Sequence, residues 1–501
     1  MPAGGNTAKQ RKSIRELRQI RELMIGMETA FASDLRAVHP VHRRGALNLL
    51  HYLALFNRSG HPPAGLKGFP GLLPLMWSET GVLAGIEAII DIWGKTGVHA
   101  VGIQEGTTLR EKRTRVLLGP KPAGRRTRIM VTASAETAVD PAVALNLVKK
   151  GMDVLRINCA RDDSSAWLAM IENLRRAERK AGRPCRVFMD LAGPKLRTGV
   201  IEIKASVPEA PPAFIRLRRG DRLLLTRSSA PGTPGVVDSN GRPAGRASVG
   251  VTSPRVLDDV RSGETVWIDD GKIGGVIRRV TKAGVELEVT SIRDKGRKLR
   301  ADRGINFPGS RLRLPPVTEK DADDIRFISG HADMAGLSFV RDPRAVNEVR
   351  SLLAGCGGAS VGLVVKVENR QALERLPALL LAAMRSRAVG VLIARGDLAV
   401  ECGFEQIADL QEEILGLCKA AYVPVIWATQ VLENLTRDGA ATRAEMTDAV
   451  AARRAECVLL NKGPYIDEAL EMLDGLLREP RNLPAKAWRR TRSLAESHGS
   501  A

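Results

Sequence analysis

Residues 152–199 read MDVLRINCARDDSSAWLAMIENLRRAERKAGRPCRVFMDLAGPKLRTG. A short β-branched run, Met152 to Asn158, leads into a segment with helical periodicity, Asp163 to Ala181, and then into a second short run, Arg186 to Asp190. That strand–helix–strand unit repeats outward along the chain. Further candidate strands are Thr127 to Thr132, Met334 to Val340, Val361 to Val367, Val391 to Ala394, Val423 to Ala428 and Cys457 to Leu460. Eight strands, mostly spaced by one helix such as Pro343 to Leu353, give the rhythm of an α/β fold, a parallel (β/α)8 TIM barrel. One gap is far too long for a single helix. Between Val200 and Arg303 lie strand-like pieces, Phe214 to Leu217, Arg222 to Thr226, Thr265 to Ile268, Gly275 to Val280 and Val285 to Thr290, separated by turn clusters such as SSAPGTPG and DSNGRPAG. These predict a small β-barrel domain inserted in a barrel loop as a lid. The expected division is a helical extension over 1–126, a barrel over 127–199 and 304–480, the insert over 200–303 and a basic tail over 481–501.

The 501 residues suffice for more than one core, and 44% hydrophobic with 27% charged residues lies in the globular range, which excludes disorder. No run approaches the roughly 18 apolar residues of a membrane span. The basic N-terminus lacks the apolar core of a secretory signal, so a cytoplasmic location and no membrane partner are expected. Six cysteines occur without a CxxC pair, which points to buried thiols over disulfides or a cysteine zinc site. The net charge of +21 favours polyanionic partners. With only 4% aromatics, and no zinc-finger or RNP-like motif, no nucleic-acid partner is expected.

In the extension, Ser13 and Glu16 form a candidate capping box, and Ile14, Leu17, Ile20, Met24, Met27 and Phe31 recur along one helical face. Ala46 to Phe56 and Val82 to Trp93 also read as helices, with Gly60 to Gly71 between them as a loop. The region is expected to be a packed accessory layer.

Active-site groups of such a barrel lie at the C-terminal ends of its strands. Those positions carry Arg156 and Asn158, then Asp190, Lys195 and Arg197, then Lys366 and Glu368, then Gly396 and Asp397, and finally Thr429. A lone Lys or Glu is usually a solvated surface charge, but charges that end otherwise apolar strands on one rim need another explanation. Glu368 and Asp397 suit an octahedral Mg²⁺ site that keeps places for substrate and water. Arg156, Arg197 and Lys366 suit an anionic substrate such as a phosphate ester. A hydrolytic triad is unsupported, since His331 and His498 are the only histidines after residue 99 and there is no GxSxG elbow. Walker A and protein-kinase glycine loops are likewise missing.

The segments GMDVLRIN, MDLAGPKLRTG, WIDDGKI, GINFPG with LPPVTEKD, SFVRDP, KVEN, ARGDL and ATQVLENL with TRAEMTD follow one another from about 127 to 475. In this series the chain resembles the pyruvate kinase family, and Trp267 to Ile273 matches the hallmark of that family's inserted domain. The resemblance implies Mg²⁺-dependent (or Mn²⁺-dependent) phosphoryl transfer from phosphoenolpyruvate to ADP, giving pyruvate and ATP. It implies that Lys366 stabilises the phosphoryl group in flight, with Arg197 among the catalytic residues, and that Glu368 and Asp397 hold the metal. Thr429 would serve proton delivery to the enolate carbon. The turn from Ala394 through Gly396 to Asp397 would face the substrate carboxylate, and Arg156 and Asn158 the nucleotide phosphates.

Departures from the pattern carry their own expectations. Family members that use K⁺ have serine and threonine where this chain has Ala160 and Leu191, and glutamate where it has Lys195. Beside Asn158 and Asp190, the Lys195 ammonium is therefore expected to replace K⁺. Arg161, Ala133 to Thr137 and LNKGPY also differ from the usual nucleotide-side residues, so metal and enolate handling are better matched than ADP binding. Few residues follow the eighth strand, so the family's C-terminal domain and its sugar-phosphate effector site are expected to be missing. A homo-oligomer is compatible with the resemblance. Two alternatives stay open: an Mg²⁺-dependent enolpyruvate or oxaloacetate lyase or decarboxylase, and a non-catalytic regulatory homologue.

Overall fold

The computed structural model describes residues 8–59, 79–94, 103–202, 214–235, 246–292 and 296–478. Eight parallel strands close into a barrel: β1 (Arg128–Thr132), β2 (Val154–Asn158), β3 (Arg186–Asp190), β12 (Met334–Leu337), β13 (Gly362–Val367), β14 (Val389–Ala394), β15 (Val425–Ala428) and β16 (Cys457–Leu460). The run Arg186 to Asp190 is reproduced residue for residue. The helix after β2 spans Ser164–Ala181; the Asp163 carboxylate caps it by accepting from the Ala166 amide, and Gly182 ends it in the left-handed region.

Between β3 and β12 the chain builds a separate half-barrel. Its strands are β4 (Ile215–Leu217), β5 (Arg222–Thr226), β6 (Ala247–Gly250), β7 (Thr265–Ile268), β8 (Ile273–Val280), β9 (Gly284–Ile292), β10 (Arg297–Leu299) and β11 (Ile305–Asn306). Six of them form one sheet in the order β11-β7-β8-β9-β5-β6, while β10 pairs with β4. Three short strands, β6, β10 and β11, are additional to the predicted ones, because two to four residues are too few to show an alternation. Through β11 the sheet continues past Arg303 to Asn306, with Ile305 paired to Ile268 and Asn306 to Trp267. The insert has its own apolar core, with Leu223, Leu225, Val249, Ile277 and Leu287 fully buried.

The two-residue period of the barrel strands decides what lines its interior. Met130, Val154, Phe188, Met334, Val364, Leu392, Ile426 and Cys457 share one cluster inside the barrel, while Ile129, Leu155, Val187 and Leu363 face the helices. Counting two residues on from the inner set brings Arg156, Asp190, Gly336, Lys366, Ala394 and Ala428 to the next layer up. The apolar floor is thus followed directly by a polar rim.

The N-terminal helices Ala8–Ala30, Arg43–Ser59 and Val82–Gly94 share a cluster of Leu17, Met24, Leu55, Ile86 and Ile89. The first is described over Ala8–Ala30, so Ser13 lies inside it and is not the expected cap. The loop Gly60 to Gly71 and the tail 481–501 lie outside the described residues. Asn48 Nδ2 donates 2.7 Å bonds to the carbonyls of Glu79 and Ala420, and Arg113 donates to those of Ala421 (2.8 Å) and Val41 (2.6 Å), which fastens the extension to the barrel. A further helix, Ile103–Leu118, ends with Leu117 and Leu118 in the barrel's inner cluster. Cβ atoms added to Gly362 and Gly390 would lie 2.5 Å from the two Leu117 methyl carbons. Those glycines open the lower ends of β13 and β14 for the plug; β14 starts two residues before its predicted Val391, with Val389 paired to Leu363.

Leu117→Ala is expected to destabilise the chain by about 2–5 kcal/mol, the range for emptying a packed leucine site. Urea denaturation of the full chain measures it; a loss below about 0.5 kcal/mol would mean Leu117 does not plug the floor.

Candidate active site

Strand alternation delivers Lys366 into the barrel mouth, where it is almost fully buried. Its Nζ lies 2.9 Å from Asp190 Oδ1 and 3.0 Å from Glu368 Oε1, and donates a 2.7 Å bond to Ser338 Oγ. Burial opposes the ammonium, but Asp190 and Glu368 outweigh it and raise the Lys366 pKa above an ordinary lysine's. Arg156 donates from Nη2 (2.7 Å) and Nε (3.0 Å) to Asp190 Oδ2, and from Nη1 (3.0 Å) to Thr132 Oγ1. Burial alone would raise the Asp190 pKa; Lys366 and Arg156 together hold it below the usual carboxylate range. Two residues are thus clamped by one carboxylate. Gly336 makes room for it, since a Cβ there would come within 2.5 Å of the Phe188 ring and 2.9 Å of Asp190 Oδ1.

Glu368 is held from the opposite side. Phe339, in left-handed backbone at φ 53°, turns its N–H inward to donate a 2.5 Å bond to Glu368 Oε2. Burial raises the Glu368 pKa; Lys366 opposes that rise, while the charges of Asp397 and Asp190 add to it. Negative charge concentrated between Glu368 and Asp397 is what a divalent cation would neutralise. Among the described residues no three carboxylate, imidazole or thiol groups converge. Glu368 and Asp397 are the carboxylates here that could hold a hard cation, which would need its other ligands from substrate and water.

Lys195 stands elsewhere than the sequence suggested. It was grouped with Asn158 and Asp190, but its Nζ lies 3.1 Å from Asp397 Oδ1 and 3.7 Å from Asp270 Oδ1, above the Phe339 ring. The reason is that Asp190 is already neutralised by Arg156 and Lys366, whereas Asp397 and Asp270 are not. Burial lowers the Lys195 pKa less than Asp397, Asp270 and Glu368 raise it. Asn158 Oδ1 accepts from the Ala160 amide at 3.1 Å. Arg197 is likewise apart from Lys366: it pairs with Asp302 at 3.4 Å and lines a polar cleft of about 290 Å³ with Arg161, Lys195, Asp270 and Arg303.

Thr429 follows β15 in left-handed backbone at φ 64°, and its Oγ1 accepts a 2.8 Å bond from the Gly396 amide. The Gly396 amide is therefore engaged by Thr429. Ala394, buried, closes β14 just before the helix Arg395–Cys402 that carries Asp397. Arg395 donates to the carbonyls of Ala428 (2.9 Å) and Thr429 (2.5 Å) and pairs with Asp448, so it fixes the strained turn. Ser338, Phe339, Arg395 and Asp448 lie within the motifs SFVRDP, ARGDL and TRAEMTD, but only the fold shows what they hold. Beside this centre Arg156, Asn158, Arg161, Arg437 and Lys462 line a second cleft of about 450 Å³.

A family model described as pyruvate kinase, barrel domain, matches residues 124–465. The chain is 33% identical over 330 residues to the pyruvate kinase of Bacillus licheniformis, covering 66% of this chain and 51% of that protein. It is 31% identical over 362 residues to that of Dictyostelium discoideum, covering 71% and 66%. Against human pyruvate kinase PKLR it is 31% identical over 347 residues, covering 66% and 56%. The chain spans about half to two thirds of the length of these relatives.

Asp190→Asn would leave two buried cations without their shared carboxylate, a change expected to cost about 3–5 kcal/mol in urea denaturation at neutral pH. Because the folded pKa is depressed, the Asp190 contribution is present above its unfolded value near about 3.9 and is lost as pH falls through the lower folded value. The gap between wild type and variant should therefore narrow in acid. A gap that is small at neutral pH, or that widens in acid, would contradict the clamp.

Proposed function

The chain belongs to the pyruvate kinase family, and from that premise we propose that its barrel mouth transfers the phosphoryl group of phosphoenolpyruvate to ADP, yielding pyruvate and ATP. The observation that carries this is the buried Lys366 ammonium, held between Asp190, Ser338 and Glu368 at the ends of adjacent strands. Loose phosphoryl-transfer transition states need placed positive charge more than covalent catalysis. Lys366 keeps its pair with Asp190 and offers the face now turned to Glu368 to the phosphoryl oxygens. Glu368 and Asp397 would hold Mg²⁺ or Mn²⁺, which when bound supplies charge neutralisation for the phosphoryl group and the enolate oxygen. Thr429 Oγ1, which accepts a bond from the Gly396 amide, would pass a proton to the enolate carbon and take its replacement from solvent.

Arg156, Arg161, Arg437 and Lys462 in the larger cleft supply the cations that an ADP polyphosphate needs, with Asn158 beside them. Arg197 acts from the lid side of the mouth, where it and Lys195 face the same cleft as Asp269 and Asp270. In place of a K⁺ ion, the reading gives the fixed positive charge to Lys195; its partners are Asp397 and Asp270, with the Glu368 charge close by.

Lys366→Met is expected to reduce ATP formation from phosphoenolpyruvate, ADP and Mg²⁺ by about 10²–10³-fold or more, the scale for removing a preorganised charge. Circular dichroism of the same sample establishes that the variant is folded. A folded variant with wild-type turnover would remove Lys366 from the chemistry.

A further inference from the structure

At the opposite end of the barrel, a cleft of about 1070 Å³ opens between the helix Ile103–Leu118, the helix Ile407–Ala420 and the lower ends of β1, β15 and β16. It is lined by nine lysines and arginines against four glutamates. Three of those glutamates are consumed by ion pairs: Glu456 with Arg110 at 2.7 Å, Glu79 with Lys419 at 2.9 Å, and Glu412 with Arg454. That leaves a strong surplus of positive charge on one wall, with Lys112, Arg115 and Lys121 exposed to solvent.

A second observation points the same way. Arg128 lines the cleft while only 5% exposed, and its guanidinium donates to main-chain carbonyls, those of Arg126 (2.9 Å) and Gly119 (2.9 Å). Its buried Nε has no hydrogen-bond partner. Buried arginines ordinarily meet a carboxylate. Here the guanidinium is held by the backbone without an ion pair of its own, although Asp153 and Glu456 lie near enough to favour its charge, beside a concave basic wall large enough for a small molecule.

We propose that this cleft binds a small phosphorylated polyanion, anchored by Arg115 and Lys121 and drawn in by the fixed charge of Arg128. The site shares a helix with Leu117, which packs on Gly362 and Gly390 below the strands that carry Lys366, Glu368 and Ala394. A ligand there would rest on the same plug that supports the active-site strands from beneath. The inference does not depend on the reaction assigned to the mouth.

The test uses inorganic tripolyphosphate as probe, titrated calorimetrically into the full chain at low ionic strength. Wild type is expected to show two classes of site, one at each end of the barrel. The double variant Arg115→Glu/Lys121→Glu should lose one class, with affinity weakened by at least about tenfold for two reversed exposed charges, and keep the other. Arg161→Glu/Lys462→Glu at the mouth should do the converse. If charge reversal disturbs the fold, seen as a shifted melting curve, Arg115→Gln/Lys121→Gln is substituted and should show the same loss at smaller size. Binding at the mouth alone, no binding at all, or unchanged stoichiometry and affinity in the lower-cleft variants would each overturn the proposal.

Discussion

The ammonium of Lys366 between Asp190 and Glu368 is the interaction on which the arrangement of the mouth depends. Burying two carboxylates this deep is unfavourable unless cations accompany them, and the barrel supplies Lys366 and Arg156 from strands on either side. The shared pair fixes Arg156 on β2 and Lys366 on β13 through one Asp190 on β3. Lys366 is thereby kept charged and stationary. Glu368 receives less compensation, and the Asp397 charge adds to its own.

The same constraint organises what surrounds the cluster. Phe339 and Thr429 adopt left-handed backbone at some energetic cost, and each strained residue makes a bond to the centre: the Phe339 amide to Glu368, and Thr429 Oγ1 from Gly396. From the insert, Asp270 reaches Lys195, and Asn306 donates a 2.8 Å bond to Glu401 on the helix that carries Asp397. The insert is thus tied to the mouth by charged and polar contacts, and among the described residues its apolar cluster is separate from the barrel's. Below, the helix Ile103–Leu118 closes the floor with Leu117 and presents a basic face to solvent, so the extension supports the barrel and also accounts for part of the +21 charge.

Much of this was legible in the sequence because strand alternation is a strict rule. Short β-branched runs at one-helix spacing announced the eight strands, and the two-residue period announced the layer in which Arg156, Asp190 and Lys366 meet. What periodicity misses is pairing across the barrel. The resemblance sets Lys195 beside Asn158 and Asp190 as a substitute for K⁺, but charge balance gives Asp190 to Arg156 and Lys366 and sends Lys195 to Asp397. Arg197 likewise ends up beside the lid, because the chain turns away after β3. Gly362 and Gly390 are the sockets of Leu117, a role that periodicity does not announce. The Ser13 cap failed because helical propensity continues upstream to Ala8, and the short strands β6, β10 and β11 have too few residues to show a period.

The central claim is that this mouth moves a phosphoryl group between two bound substrates. Phosphorus NMR of the full chain with phosphoenolpyruvate, ADP and Mg²⁺, in sodium buffer free of K⁺, tests it most directly. The account predicts that the phosphoenolpyruvate resonance declines while the γ-phosphate of ATP rises in equal amount, without added K⁺. Phosphoenolpyruvate left intact by folded protein, or converted to inorganic phosphate with no ATP, would contradict it.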